Sequence, residues 1–74
     1  MNEKELRVIV TGGSGFIGTN FVDLMIEKEI IFLNLDIEEP RKKQHSEFWD
    51  KLDILDNENL EKKIQQFQPT HICH

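Results

Sequence analysis

The 74-residue sequence contains no tyrosine, one cysteine, one tryptophan and two prolines. A lone cysteine, Cys73, cannot form an intramolecular disulfide, and small domains of oxidising compartments usually carry several, so a cytoplasmic chain is expected. No apolar run exceeds the four residues 30–33, whereas a membrane span needs ~20, and no basic-then-apolar leader opens the chain. A membrane partner is therefore not expected. Basic residues are also scarce: nine Lys and Arg face fourteen Asp and Glu, for a formal charge of −5. That is the wrong sign for a phosphate backbone, and the one basic run, Arg41-Lys42-Lys43, is hemmed in by Glu38, Glu39 and Glu47. Nucleic acid is excluded as a partner on this reading. Internal repeats and low-complexity tracts are missing as well. With 31% charged and 38% hydrophobic residues, the composition is that of a globular segment, not a disordered or collagen-like one. The length admits one small domain, and such a domain buries only about 60% of the surface its unfolded chain exposes.

What is present alternates between two hydrophobic periods. Residues 6–10 are rich in β-branched side chains, apolar apart from Arg7, and stop at a glycine cluster, as does a strand buried on both faces of a parallel sheet. From Phe16 the period lengthens: Ile17, Phe21, Leu24, Met25 and Lys28 fall on one stripe and Asn20, Asp23 and Glu27 on the other, predicting a helix to about Glu29. Residues 30–35 read as a second strand ending on Asp36. Residues 37–47 hold the basic run and Pro40 and no sustained apolar period, which predicts a loop with one helical turn. A third strand is expected within 48–54, and Asp56 stands as the N-cap of a second helix with its stripe at Leu60, Ile64 and Phe67. Pro69 ends that helix, because the residue before proline resists the helical conformation. Residues 70–74 begin a fourth strand. Strands alternating with helices predict an α/β fold with a parallel sheet joined by right-handed crossovers.

The chemistry lies between the first strand and the first helix, in Thr11-Gly12-Gly13-Ser14-Gly15-Phe16-Ile17-Gly18. A strand turning sharply into a helix needs a residue without Cβ; a phosphate approaching backbone N–H groups needs another; a third lets helix and strand pack closely. Gly12, Gly15 and Gly18 take these roles, and the Ser14 hydroxyl is a further candidate contact. The free N–H groups and positive dipole end of the helix suit the pyrophosphate of a dinucleotide. Eighteen residues past Gly18, Asp36 ends the second strand, near the ~20-residue offset at which a carboxylate meets the adenosine ribose. A carboxylate there accepts from the 2′- and 3′-hydroxyls and repels a 2′-phosphate, favouring NAD over NADP; Arg41-Lys42-Lys43 is the counter-evidence. Asp53 and Ile54 read equally as an adenine contact or a loop end. His71, Cys73 and His74 have the residue types of metal ligands, but on a strand His71 and Cys73 point to one face and His74 to the other, which favours a structural role. Phe48 and Trp49 read as packing residues, and Cys73 as a small buried hydrophobe.

These residues resemble the NAD-dependent epimerase/dehydratase family of extended short-chain dehydrogenases. The stretch from Val10 to Gly18 matches its G-x-x-G-x-x-G opening, Leu35-Asp36 the end of its second strand, Leu52-Asp53-Ile54-Leu55-Asp56 its third-strand motif, and Pro69 to His74 the start of its fourth. The resemblance implies a Rossmann-type domain with NAD as cofactor. It places Phe16 and Ile17 among the pyrophosphate contacts and Asp53 and Ile54 against the adenine. It also implies nucleotide-sugar substrates for the complete enzymes, which are epimerases and dehydratases. The family's catalytic Tyr-x-x-x-Lys has no counterpart in a chain without tyrosine, so residues 1–74 are expected to be a partial, non-catalytic Rossmann domain ending within the fourth strand. With the family's strand order 3-2-1-4, that strand is an open edge and self-association is expected. The alternative is a free-standing nucleotide-binding or self-associating half-domain.

Overall fold

A computed structural model describes residues 6–74, so Met1 to Glu5 lie outside the account. Four strands, β1 (Arg7–Thr11), β2 (Ile31–Asp36), β3 (Trp49–Lys51) and β4 (His71–Cys73), form one sheet in the order β3-β2-β1-β4, every pairing parallel. Two helices, α1 (Phe16–Glu27) and α2 (Asn57–Phe67), connect β1 to β2 and β3 to β4. The α/β class and the parallel sheet expected from the sequence are therefore present.

The central strand explains how the helices divide. Successive side chains of a strand point to opposite faces. Val8 and Val10 join Val22 and Met25 of α1 and Phe32, while Ile9 joins Leu35, Leu52 and the α2 residues Leu60, Ile64 and Phe67. Each helix thus covers one face. Arg7 fastens the end of α2 to β1: its Nε and Nη2 donate to Phe67 O at 3.1 and 2.7 Å, and its guanidinium lies 4.5 Å from the Phe67 ring centroid. Asp56 caps α2 as expected, its carboxylate accepting from Asn59 N. Gln68 leaves that helix in the left-handed conformation, at φ 54°.

The stripe expected on α1 is not the buried one. Met25 is buried, but Ile17 is 82% exposed, and Phe21 and Leu24 are also exposed. The inner face is Gly18, Thr19, Val22, Met25 and Ile26. Gly18 is the reason: a Cβ there would strike the backbone of Gly12 and Gly13. The close approach at this glycine sets the helix rotation about one residue, or about 100°, away from the apolar stripe.

The expected third strand, 48–54, is shorter. Only Trp49–Lys51 pairs, with Asn34, Leu35 and Asp36, because β2 ends at Asp36; Leu52 N adds a hydrogen bond to Asp36 O at 3.1 Å. Phe48 closes a 3-10 helix (Lys43–Phe48) in the expected loop and stacks on Phe32, centroids 4.7 Å apart. Trp49 Nε1 donates to Asp36 O at 2.9 Å, so both aromatics pack as read from the sequence. Cys73, half-buried against the α1-side cluster, is a free thiol.

Candidate nucleotide-binding site

The turn after β1 is built by hydrogen bonds to β2. Gly12, at φ 76°, takes the left-handed conformation that glycine adopts without strain. Three consecutive N–H groups then reach across: Gly12 N donates to Leu35 O at 3.2 Å, Gly13 N to Asn34 Oδ1 at 2.9 Å, and Ser14 N to Asp36 Oδ2 at 2.9 Å. Gly15 N turns back to Gly12 O at 3.3 Å. The first helical hydrogen bond runs from Thr19 N to Gly15 O. That leaves the N–H groups of Phe16, Ile17 and Gly18 without an intrahelical acceptor, pointing out of the α1 N-terminus.

The three glycines take distinct positions. Gly12 makes the turn. Gly18 makes the helix contact described above. Gly15 is exposed, and a Cβ there would meet only Gly12 O at 3.6 Å, so the space above it is open to an approaching group. Phe16 and Ile17 put their side chains in solvent, 73% and 82% exposed, and offer the site their main chain. Ser14 is buried, its Oγ accepting from Asn34 Nδ2 at 3.2 Å behind the turn.

Asp36 stands beside this turn at the end of β2. Besides Ser14 N, it accepts from Glu38 N at 3.0 Å through Oδ1. Its side chain lines a hollow of about 230 Å³ with Gly12, Leu35, Ile37, Leu52, Asp53 and Ile54. The tertiary structure therefore brings Asp53 and Ile54, unplaced by residue spacing alone, to one hollow with Asp36 and the first glycine. Asp53 itself closes a local turn, Oδ1 accepting from Leu55 N at 2.9 Å.

A second hollow, about 370 Å³, opens on the other side of Gly12 between the C-terminal ends of β1 and β4, lined by Thr11, Ile17, Phe21 and His74 among others. Thr11 Oγ1 and His74 Nδ1 meet there at 2.6 Å. This is where the strand order reverses, the switch point at which open parallel sheets bind ligands. Among the described residues no three His, Cys, Asp or Glu side chains gather as metal ligands.

The basic run is divided. Lys42 pairs with Asp23 on α1, and the Arg41 guanidinium sits 5.8 Å from the Phe16 ring centroid, near the helix N-terminus. Asn34 and Gly13 take part in the site although neither the glycine spacing nor the strand-end acid points to them. The available signal was Asn34 itself, the one polar residue interrupting an apolar strand, since a buried amide must find hydrogen-bond partners.

Comparison with known proteins agrees with this geometry. The profile of the NAD dependent epimerase/dehydratase family matches residues 8–74. UDP-glucose 4-epimerase of Thermus thermophilus, solved with NAD, is 31% identical with a TM-score of 0.77. dTDP-glucose 4,6-dehydratase of Bacillus anthracis, also solved with NAD, is 29% identical with a TM-score of 0.79. UDP-glucose 4-epimerase of Thermotoga maritima, solved with UDP-glucose, is 27% identical with a TM-score of 0.78. Each alignment covers 90% of this chain and between 22% and 25% of the other, so the chain spans a quarter or less of the length of these structures. No curated protein matches the chain with statistical significance.

Proposed function

The chain belongs to the NAD dependent epimerase/dehydratase family, and from that premise we propose that it forms the NAD-binding part of a nucleotide-sugar epimerase or dehydratase. The observation that carries the reading is the side-by-side arrangement of free N–H groups at Phe16, Ile17 and Gly18, open space above Gly15, and the Asp36 carboxylate across Gly12. The residues fit the cofactor: the α1 N-terminus holds the pyrophosphate, Asp36 the adenosine ribose hydroxyls, and the Asp53–Ile54 hollow the adenine. NAD supplies hydride acceptance from a sugar carbon. This chain's residues bind and orient; with no tyrosine, they do not include the proton-exchanging Tyr-x-x-x-Lys. NAD is proposed over NADP because a 2′-phosphate would approach the Asp36 carboxylate. Cytoplasmic localisation, expected from the lone Cys73, belongs to the same proposal. No helix among the described residues is long and apolar enough to cross a membrane.

A second reading, a self-associating half-domain, is favoured by the exposure of Leu24 on α1 and Ile72 on β4, 45% and 53% respectively. β4 bonds to β1 and offers its other edge to a further strand.

Calorimetric titration of the chain with NAD, NADP and ADP-ribose tests the principal reading. NAD and ADP-ribose are expected to bind comparably and NADP more weakly; no heat at millimolar NAD would refute it.

A further inference from the structure

Asn34 is 1% exposed in the middle of β2 and is the side chain on which the glycine turn rests. Its Oδ1 accepts from Gly13 N at 2.9 Å, and its Nδ2 donates to Ser14 Oγ at 3.2 Å. A Cβ at Gly13 would lie 2.5 Å from the same Oδ1, so residue 13 has no side chain because the amide of residue 34 fills that space. Backbone pairing holds Gly12, and Asp36 holds Ser14; Asn34 supplies the acceptor for the N–H between them.

We infer that Asn34 is a positioning residue for dinucleotide binding, which, by fixing the Gly13 amide and the Ser14 hydroxyl against β2, aims the free N–H groups of Phe16 and Ile17 at the pyrophosphate. The inference rests on the NAD-binding reading and deepens it. Among the described residues, Asn34 is the anchor at the centre of the turn. Without the carboxamide, the buried Gly13 N–H loses its acceptor, and the chain between Gly12 and Gly15 must rearrange to find another. The first helical turn starts from that stretch, so the pyrophosphate donors move with it. The adenosine end lies at Asp36, Asp53 and Ile54, none of which bonds to Asn34; Asp36 touches the turn through Ser14 N but is also held by Glu38 N, outside the turn.

The test compares a ligand that has a pyrophosphate with one that lacks it. NAD and adenosine are titrated against the 74-residue chain and its Asn34→Leu variant, with amide chemical shifts as the readout so that millimolar binding is measurable. We expect NAD affinity to fall about tenfold or more while adenosine affinity changes by less than about twofold. A structural role alone would weaken both in parallel, and that result, or no change in either, overturns the inference while the NAD reading stands. Failure of the parent chain to bind NAD would overturn both. Gly13→Ala approaches the same contact from the other side and serves if Asn34→Leu does not fold: it must displace the Asn34 amide, and it should show the same loss confined to NAD. Equal loss of NAD and adenosine in Gly13→Ala would count against the inference equally.

Discussion

His45 Nε2 lies 2.7 Å from Asp23 Oδ1, which ties the 3-10 helix of the β2–β3 connection to the middle of α1. His45 is 1% exposed, and Lys42 reaches the other oxygen of the same carboxylate. The connection that carries Arg41 past the α1 N-terminus is thus held by one acidic side chain on the helix it crosses.

That pairing predicts an acid-sensitive component of stability. Hydrogen bonds from Lys42 and then His45 hold the Asp23 carboxyl below its ordinary value of 3.8. A carboxyl depressed in the folded state contributes stability that is complete above the unfolded value and is lost as pH falls through the folded one. The parent should therefore melt above Asp23→Asn at about pH 6, with the gap closing below about pH 4. Thermal melts followed by circular dichroism check this; a gap independent of pH would remove Asp23's charge from the explanation.

Two glycine variants should separate folding from binding. A side chain at Gly18 collides with the Gly12–Gly13 backbone, so Gly18→Val should destabilise the chain by about 1–3 kcal/mol. Gly15 has room in the free protein, so Gly15→Val should fold and melt close to the parent yet give no NAD signal, because its side chain occupies the space the phosphate needs. Chemical denaturation and calorimetric titration of both would decide. An unfolded Gly15→Val would contradict the open space above that residue.

Asp36 serves the turn as well as the proposed ribose site, since Ser14 N and Glu38 N both bond to its carboxylate. Asp36→Ala would remove those bonds too and disturb the pyrophosphate donors. Asp36→Asn removes the charge yet keeps one acceptor oxygen, which can retain the Ser14 N bond, and is the cleaner substitution. It should weaken NAD by about 1.5–3 kcal/mol, the range for hydrogen bonds to a charged group, and narrow the preference over NADP. Titration with both dinucleotides reads the ratio; equal losses for the two would show that Asp36 does not select between them.

We propose that the open side of β4, where Ile72 is exposed, associates with a second copy, burying an area on the order of 1,000 Å². Sedimentation velocity should show concentration-dependent dimer formation in the micromolar range, and Ile72→Lys, which places charge on the edge strand, should return the chain to monomer. A parent that sediments as a monomer throughout would exclude it.

Local patterns make the element order legible without any tertiary contact. A β-branched run stopping at glycine, the 3.6-residue period of Leu60, Ile64 and Phe67, the cap at Asp56 and the break at Pro69 act within a turn or two of chain, so nearest neighbours suffice to specify them. The spacing of Gly12, Gly15 and Gly18 and the place of Asp36 at a strand end were equally local.

Contacts between residues far apart in the chain decided the rest. Ile17, Phe21 and Leu24 have the period of a buried stripe and still face outward, because the backbone approach at Gly18 sets the rotation of α1 and a glycine carries no hydrophobic signal. Asn34 meets Gly13 and Ser14 across 21 and 20 residues of sequence, and its polar side chain in an apolar strand marks a buried hydrogen bond without naming the partner. Asp53 and Ile54 reach the hollow beside Asp36 because β3 pairs with β2 and stops where β2 stops. Composition and periodicity specify which segments become helix or strand, whereas the direction each side chain faces depends on how closely two backbones can approach, and that distance exists only once the sheet is assembled.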